Sequence, residues 1–309
     1  MESVRTTRTG GKGDLVPRRR PRAPWGRLAL QASAVSAAVL AAIPLIYLIV
    51  RVAESDVQAI VDALWNARIL TLMVNTVGLV LSVSVACLVL GVSIAWLLTR
   101  TDLPGRRIWL VISALPLAVP SYVAAFGWIA TTPLRGFWGS FLVLTLCNVP
   151  LVTLPTIAAL RLSNPANEDV ARTLGRSRRR AFMEGTWPQI RPAAFAGVLL
   201  VALYVLSDFG SVALMRYQVF TWAIQVAYES LFDRTLAAVL SVVLALMGIA
   251  LVAAERRMRG ARSRLGATVT ARAPVVPMPL GRLQWLGHGA LAIVAALSLG
   301  VPLGALARY

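Results

Sequence analysis

The chain is short of charged residues, and this shortage limits what kind of protein it can be. Only 14% of its 309 residues are charged, against about 25% in a typical soluble domain. Hydrophobic residues make up 58% of the chain, and the mean hydropathy is +0.72. These values indicate that much of the chain is surrounded by a solvent other than water.

Metal-binding and catalytic side chains are equally scarce. His288 is the single histidine, and the two cysteines, Cys87 and Cys147, fall inside apolar runs, where we interpret them as small buried side chains. Because there is no CxxC pair and no His/Cys cluster, we expect no zinc or redox site. One histidine also offers no credible Ser/His/Asp arrangement, so we expect the chain not to be an enzyme.

A phosphate-binding loop is missing as well. The glycine-rich run at 10–13 has neither the spacing of a Gly-x-x-x-x-Gly-Lys-Ser/Thr loop nor the helix that follows such a loop. We therefore expect that this chain does not hydrolyse ATP itself and binds no cofactor.

Long apolar runs, in contrast, are abundant. An apolar helix of about 20 residues crosses the hydrocarbon layer of a bilayer. Seven runs meet this condition, at about 28–50, 70–98, 108–130, 138–160, 193–213, 235–254 and 285–307. No strand-like alternation competes with them. The sequence thus predicts an all-α fold, a polytopic membrane helical bundle.

The basic residues are distributed unevenly among the loops. The chain carries 31 basic and 13 acidic residues, a net charge of +18. If the N-terminus is inside and the spans alternate, segments 1–27, 100–107, 161–192 and 255–284 are inside and hold 25 of the 31 basic residues. Cytoplasmic loops of membrane proteins carry such an excess. We therefore predict a multi-pass protein of the bacterial inner membrane with a cytoplasmic N-terminus and no nucleic-acid partner.

Two further segments can be interpreted from their composition and from the spacing of their apolar residues. Residues 1–27 are basic and rich in proline, which predicts a disordered cytoplasmic tail before an uncleaved first helix. In the outer loop 51–69, apolar residues at helical spacing predict a short amphipathic helix at the membrane interface.

Prolines within the spans predict kinks, at Pro44, Pro116, Pro120, Pro150 and Pro155.

The inner loop between the fourth and fifth spans carries the functional argument. Asn164 and Asn167 are candidate helix caps, and acidic residues follow them in the first turn. Residues 168–174 can form a short helix, and Gly175 is a natural stop because glycine accepts a left-handed backbone. A second short helix is expected from about Arg178 to Thr186.

Prolines follow this second helix. Pro188 and Pro192 are expected to break the chain before the next span. The prediction is a helix–turn–helix knob that faces the cytoplasm.

This loop resembles the coupling loop of binding-protein-dependent ABC importer permeases of the type I fold. Aligned on Gly175, the family's Glu-Ala-Ala pattern falls on Asp169, Val170 and Ala171, and its final proline falls on Pro188. Asp replaces Glu at the acidic position, although Glu168 stands beside it, and Gly185 and Trp187 replace the usual apolar pair. The resemblance implies that the knob docks on an ATPase subunit through Glu168, Asp169, Ala171, Gly175, Phe182 and Pro188.

Other stretches extend the resemblance over about residues 28–307. They are Asn75-Thr76, the run 95–107, the run 115–123 and the run 206–210. Together they look like the first half of the fused, two-lobed iron(III)-type permeases. This implies four parts: a tail at 1–27, a first permease domain at 28–254 with its coupling loop at 163–192, a basic linker at 255–284, and the opening helix of a truncated second lobe at 285–309.

The resemblance implies an importer that translocates a substrate, with ferric iron as the expected one. The implied partners are ABC ATPase subunits that bind the ATP, an external substrate-binding protein, and a second permease lobe on the same or another chain. Thiamine, polyamine or sulfate remain alternative substrates. An ATP-independent secondary transporter or channel is the runner-up function, and a membrane scaffold without transport activity is a distant third.

Asp208 is an acid within the fifth predicted span. Because a charged side chain is costly at the centre of a membrane helix, it should face the bundle interior. One interpretation is a polar substrate pathway formed by Asp208, Tyr122, Ser207 and Tyr204. The favoured interpretation is structural, with a hydrogen bond from Tyr204, Ser207 or a neighbouring span.

Overall fold

The computed structural model describes residues 24–65, 67–164, 166–260 and 278–308. Every regular element in these ranges is helical. The helices are α1 (Pro24–Ala53), α2 (Val57–Leu64), α3 (Ala67–Arg100), α4 (Arg106–Ala114), α5 (Ser121–Thr131), α6 (Gly136–Leu162), α7 (Ala166–Thr173), α8 (Arg178–Ala181), α9 (Trp187–Ser207), α10 (Gly210–Leu214), α11 (Phe220–Gln225), α12 (Arg234–Gly260), α13 (Gln284–Ala295) and α14 (Val301–Leu306).

The predicted all-α polytopic fold is confirmed. Within the described ranges, six helical stretches are long and apolar enough to cross a membrane, and one bent pair of helices is a seventh candidate. The bent pair occupies the predicted span at 108–130, for which kinks at Pro116 and Pro120 were predicted, and its parts 106–118 and 121–131 meet at an angle of 93°. The cause is Pro120, which lacks an N–H and forces Val119 into an extended conformation (φ −93°, ψ 115°).

Several predicted boundaries were also wrong by a few residues or more. Helix α1 begins at Pro24 rather than 28, so the predicted tail is shorter at its C-terminal end, and α12 continues to Gly260 instead of stopping at 254. The fifth span stops at Ser207 instead of running to 213. The rest of the predicted tail and residues 261–277 of the predicted linker lie outside the described residues.

Two units can be distinguished, residues 1–47 and 48–309. The described part of the first is one helical stretch that contains Pro44. In the second, α2 is the short helix predicted between 51 and 69, and the Asp56 carboxylate caps it by accepting the N–H of Gln58 at 3.2 Å.

The core of the larger unit consists of α3, α6 and α9, which pack against one another. Glycines let their backbones approach closely, as small residues do in membrane bundles. A Cβ atom at Gly91 would lie 2.8 Å from Cβ of Val152, and one at Gly197 would lie 2.5 Å from the carbonyl oxygen of Leu151. The same helices carry the two regions described next, one at each end of α9.

The last helical stretch packs against the earlier part of the larger unit. A Cβ atom at Gly127 of α5 would lie only 2.6 Å from Cα of Pro302 in α14. At the start of this stretch, the Met278 N–H donates to the Arg100 carbonyl (2.9 Å) and the Leu280 N–H donates to the Asp102 carboxylate (2.9 Å). The assignment of 285–309 to a second lobe stays a prediction.

Candidate functional site

The first candidate region is the knob, defined here as residues 166–186. Its first arm is α7, which begins after Asn164, whose side-chain oxygen accepts the N–H of Ala166 at 3.0 Å. Gly175 ends the arm in the left-handed conformation, with φ of 78°. The N–H of Arg176 then reaches back to the carbonyl of Ala171 at 3.1 Å. This is the glycine stop predicted from the sequence.

The second arm differs from its prediction. It is not a separate helix ended by prolines, because α8, a π turn at Phe182–Thr186 and α9 form one helical run from Arg178 to Ser207. In the π turn, the N–H of Trp187 bonds to the carbonyl of Phe182. Pro188 directly follows the π turn, and the helical run continues through both Pro188 and Pro192.

Hydrogen bonds made by side chains hold the knob to the base of α9. The Thr186 hydroxyl donates to the Glu168 carboxylate at 2.8 Å. The Gln189 side chain accepts the Asn164 N–H at 3.0 Å and donates to the Gly185 carbonyl at 2.7 Å. The Thr186–Glu168 bond ties α7 to the second arm, and the Gln189–Asn164 bond ties the residues before α7 to the base of α9.

Packing between the arms adds to these bonds. Ala171 of α7 and Ala181 of α8 are both buried, with exposed fractions of 9% and 0%. Small side chains at these two positions allow the arms to lie close together, which makes the knob one compact unit.

The outer surface of the knob combines apolar and basic side chains. Val170, Leu174 and Met183 are exposed although they are apolar. The knob also carries five arginines, and the Glu184 carboxylate lies 3.6 Å from Arg176 and 3.2 Å from Arg180. The three exposed apolar side chains are called the apolar patch below; exposed apolar area together with polar groups is typical of a surface that binds another protein.

The predicted coupling residues have different positions in the knob. Glu168 and Ala171 face the junction between the arms, Gly175 forms the turn, and Phe182 starts the π turn. Pro188 is exposed in α9, and the side chain of Asp169 lies outside the described residues. The exposed patch was missed from the sequence, although the spacing of Val170 and Leu174 on one helix face could have indicated it.

The second candidate region is a buried joint, formed by Asp208, Ser121, Ser211 and Thr221. Asp208 follows the last residue of α9 and is only 8% exposed. Its carboxylate accepts the Ser121 hydroxyl, the Ser211 hydroxyl and the Ser211 N–H, the last at 3.1 Å. Its backbone carbonyl accepts the Thr221 hydroxyl at 2.8 Å.

The joint fixes the place where three helices begin or end. Ser121 is the first residue of α5, directly after the bend at Pro120, while Asp208 follows α9 and Ser211 is the second residue of α10. Close packing supports the same contact, since a Cβ atom at Gly210 would lie 2.8 Å from Cβ of Tyr122. The carboxylate therefore connects the bent pair of helices to the end of α9.

The other predicted pathway residues do not bond to this carboxylate. The Ser207 hydroxyl donates to the Tyr204 carbonyl of its own helix at 3.0 Å, and both residues are exposed. Tyr122 is also exposed, although it follows Ser121 in the chain. The sequence analysis did not identify Ser121, because this residue lies far from Asp208 along the chain. It also missed Ser211, which the Asp-x-x-Ser spacing could have indicated.

Metal-binding side chains are the remaining feature of the described residues. Among the residues that the structure describes, no three His, Cys, Asp or Glu side chains are grouped so that they could hold a metal. The two cysteines are buried and free.

Known proteins resemble the chain over most of its length. A family model described as "Binding-protein-dependent transport system inner membrane component" matches residues 87–260. The Fe(3+)-transport system permease protein FbpB 2 of Haemophilus influenzae is 35% identical over 263 residues, which are 84% of this chain and 52% of that protein.

Permeases named for other substrates match at lower identity. The sulfate transport system permease protein CysT of Salmonella typhimurium is 28% identical over 45% of this chain and 56% of its own length. The molybdenum transport system permease protein ModB of Escherichia coli is 28% identical over 48% of this chain and 71% of its own length. The chain spans about half the length of the first two relatives.

Proposed function

Since the chain belongs to the family of binding-protein-dependent transport system inner membrane components, we propose that it is a membrane-spanning permease unit of an ATP-driven importer. An external binding protein delivers the substrate, and partner ATPase subunits bind and hydrolyse the ATP. A second permease half completes the pathway, because alternating access needs two halves that move against each other. The multi-pass helical bundle and the family support this proposal.

The knob is the proposed docking element for the ATPase, and its construction carries the proposal. It is held to the base of α9 by the Thr186–Glu168 and Gln189–Asn164 hydrogen bonds, and its second arm continues into α9 without a break. A rigid knob of this kind transmits a push from a closing ATPase to a membrane helix. The exposed side chains of Val170 and Leu174 supply apolar contact area for the partner.

Co-purification of the ATPase subunit tests this docking. Leu174→Asp places a charge in the apolar patch and is expected to reduce the retained ATPase about tenfold or more, since burying an unpaired charge at an interface costs several kcal/mol. The matched control is Val57→Asp in α2, which is also exposed but lies outside the knob. Equal retention by both variants and the unchanged protein would contradict the docking role.

Orientation is tested by labelling. The proposal places the N-terminus and the knob in the cytoplasm, as the distribution of basic residues suggests. Cys87 and Cys147 are buried, so a cysteine introduced as Leu174→Cys is expected to be the main site for a membrane-impermeant maleimide. Labelling in inverted vesicles and protection in intact cells are expected, and the opposite result would overturn the orientation.

Ferric iron is the proposed substrate. The relative from Haemophilus influenzae, named an Fe(3+)-transport permease, is more similar to this chain than the sulfate and molybdenum permeases named above. Uptake of radioactive ferric iron and of radioactive sulfate should be compared in cells that express the protein with its partners. Uptake of iron alone supports the proposal, and uptake of sulfate alone overturns the substrate assignment while leaving the importer intact.

A further inference from the structure

A groove lies between α3 and the two arms of the knob, with a volume of about 530 Å³. Its lining includes apolar side chains, here called the apolar wall, among them Trp96 and Leu97 of α3 and Phe182 of the π turn. Arg172, Arg178 and Arg179 of the knob also line it. The groove therefore presents an apolar surface and a basic surface to the same space.

The arginines of the groove differ from their neighbours in the knob. Arg176 and Arg180 are both close to the Glu184 carboxylate. Among the described residues, no carboxylate forms an ion pair with Arg172, Arg178 or Arg179. Glu168 also lines the groove, but its carboxylate accepts the Thr186 hydroxyl. Among the side chains that the structure describes, three arginines and the single carboxylate of Glu168 line the groove, which gives this lining a net positive charge.

The groove lies where a membrane surface would be expected. Trp96 is four residues before Arg100, the end of an apolar span, and tryptophan is enriched at the boundary between lipid and water. Arg178 is the first residue of another helical run that can cross the membrane. If both runs cross a bilayer, the apolar wall is expected on the hydrocarbon side of this surface and the arginines on the headgroup side.

We propose that this groove binds one anionic phospholipid from the leaflet at the knob end of the bundle. The phosphate lies against Arg172, Arg178 and Arg179, because guanidinium groups pair well with phosphate oxygens. One acyl chain lies along Trp96, Leu97 and Phe182. Basic pockets between membrane helices are known to hold such headgroups. The bound lipid would fill the space between α3 and the knob.

Lipid retention tests this inference. The full chain is placed in nanodiscs of phosphatidylcholine with a minor fraction of phosphatidylglycerol, extracted in mild detergent and purified, and the lipid that stays bound is measured by mass spectrometry. Phosphatidylglycerol is expected to be enriched over phosphatidylcholine. Arg178→Gln/Arg179→Gln is expected to lower its retention about 30-fold, since each arginine near a membrane surface contributes about 1 kcal/mol.

The chain offers a matched control for this variant. Arg176→Gln/Arg180→Gln removes the same charge from the same loop, but these arginines lie beside Glu184 and do not line the groove. It is expected to retain phosphatidylglycerol as the unchanged protein does. Equal losses in the two double variants would show a general charge effect and would overturn the site.

A second pair of variants tests the apolar wall. Ser93 also lines the groove, and Ser93→Trp fills it, whereas Val89→Trp adds the same bulk one turn earlier at an exposed position outside it. Only Ser93→Trp is expected to lose the lipid. Excess inorganic phosphate is expected not to displace it, and displacement would indicate a soluble anion in place of a lipid. Retention of phosphatidylcholine at the level of phosphatidylglycerol would also contradict the inference.

Discussion

The knob and the buried joint lie at opposite ends of α9, and both use an acidic residue to connect two helical elements. Glu168 accepts one hydroxyl, from Thr186, at a partly exposed position. Asp208 accepts three donors and is buried.

The difference shows two ways to fix a change of helix direction. In apolar surroundings a carboxylate needs several partners, and it then holds its neighbours firmly. Near water, one bond together with a glycine turn and small packed side chains is enough. We therefore expect changes at the joint to affect folding, and changes at the knob to affect local order and partner binding.

The largest effect is expected at the joint. Asp208→Ala leaves the Ser121 hydroxyl and the hydroxyl and N–H of Ser211 without their acceptor, and should lower the free energy of unfolding by about 3 kcal/mol. Titration with SDS, followed by tryptophan fluorescence, measures this change. Asp208→Asn keeps an acceptor oxygen and should lose less.

Ser207→Ala is the control for this prediction. It removes the neighbouring hydroxyl, which bonds only within its own helix, and should change stability by less than about 0.5 kcal/mol. If Asp208→Ala and Ser207→Ala lower the free energy of unfolding by similar amounts, the hydrogen bonds of the joint do not stabilise the fold more than an ordinary bond within one helix.

The second largest effect is expected at a glycine in the bundle core. Gly197→Ala adds a methyl group 2.5 Å from the Leu151 carbonyl and should destabilise the protein by about 2 kcal/mol, since extra volume strains a packed core. The control, Gly78→Ala in α3, meets no atom within 4 Å and should be neutral or stabilising. The same SDS titration distinguishes them, and a tolerated Gly197→Ala would contradict the close packing of α6 on α9.

Gly175→Ala has a conformational cost without a steric one. No atom lies within 4 Å of the added Cβ, but φ is 78°, so we expect a loss of about 1.5 kcal/mol confined to the knob. Hydrogen exchange of the amides at 171–176 should become faster while the unfolding transition hardly moves. Gly175→Asn, which accepts the left-handed backbone more readily, should show a smaller change. The prediction fails if exchange is unaffected by either substitution.

The smallest effect is expected for Thr186→Val. The change preserves shape and removes only the hydrogen bond to Glu168, so α7 should open more easily by about 1 kcal/mol. Hydrogen exchange in α7 measures this opening. Thr173→Val is the control, because its exposed hydroxyl bonds only within α7, to the carbonyl of Val170. If the control opens α7 equally, the bond between the arms does not hold the knob together.

Features governed by neighbouring residues could be predicted. The apolar runs gave the spans with errors of a few residues at most ends, and Gly175 marked the end of the first knob arm. The loop pattern around Gly175 indicates the family from the sequence alone. Periodicity and backbone preference act within a few residues, and for this reason they can be recognised in a single sequence.

Features governed by distant contacts could not be predicted. The prolines indicated that helices would kink. They did not indicate that Pro120 would turn its span by 93°, or that Pro188 and Pro192 would be accommodated in a continuous helix. The π turn before Pro188 and the packing around α9 decide that outcome. A proline ends a helix only where the surrounding structure does not satisfy the freed carbonyl.

The sequence by itself determined that this protein is a helical membrane bundle with a short basic knob between two of its spans. Only the tertiary structure decided that Asp208 bonds to Ser121, which lies 87 residues earlier in the chain, and that Trp96 and Arg178 line the same groove. The physical reason is that a buried polar group takes whichever partner the packing of separate helices brings within reach, and that packing depends on the whole bundle.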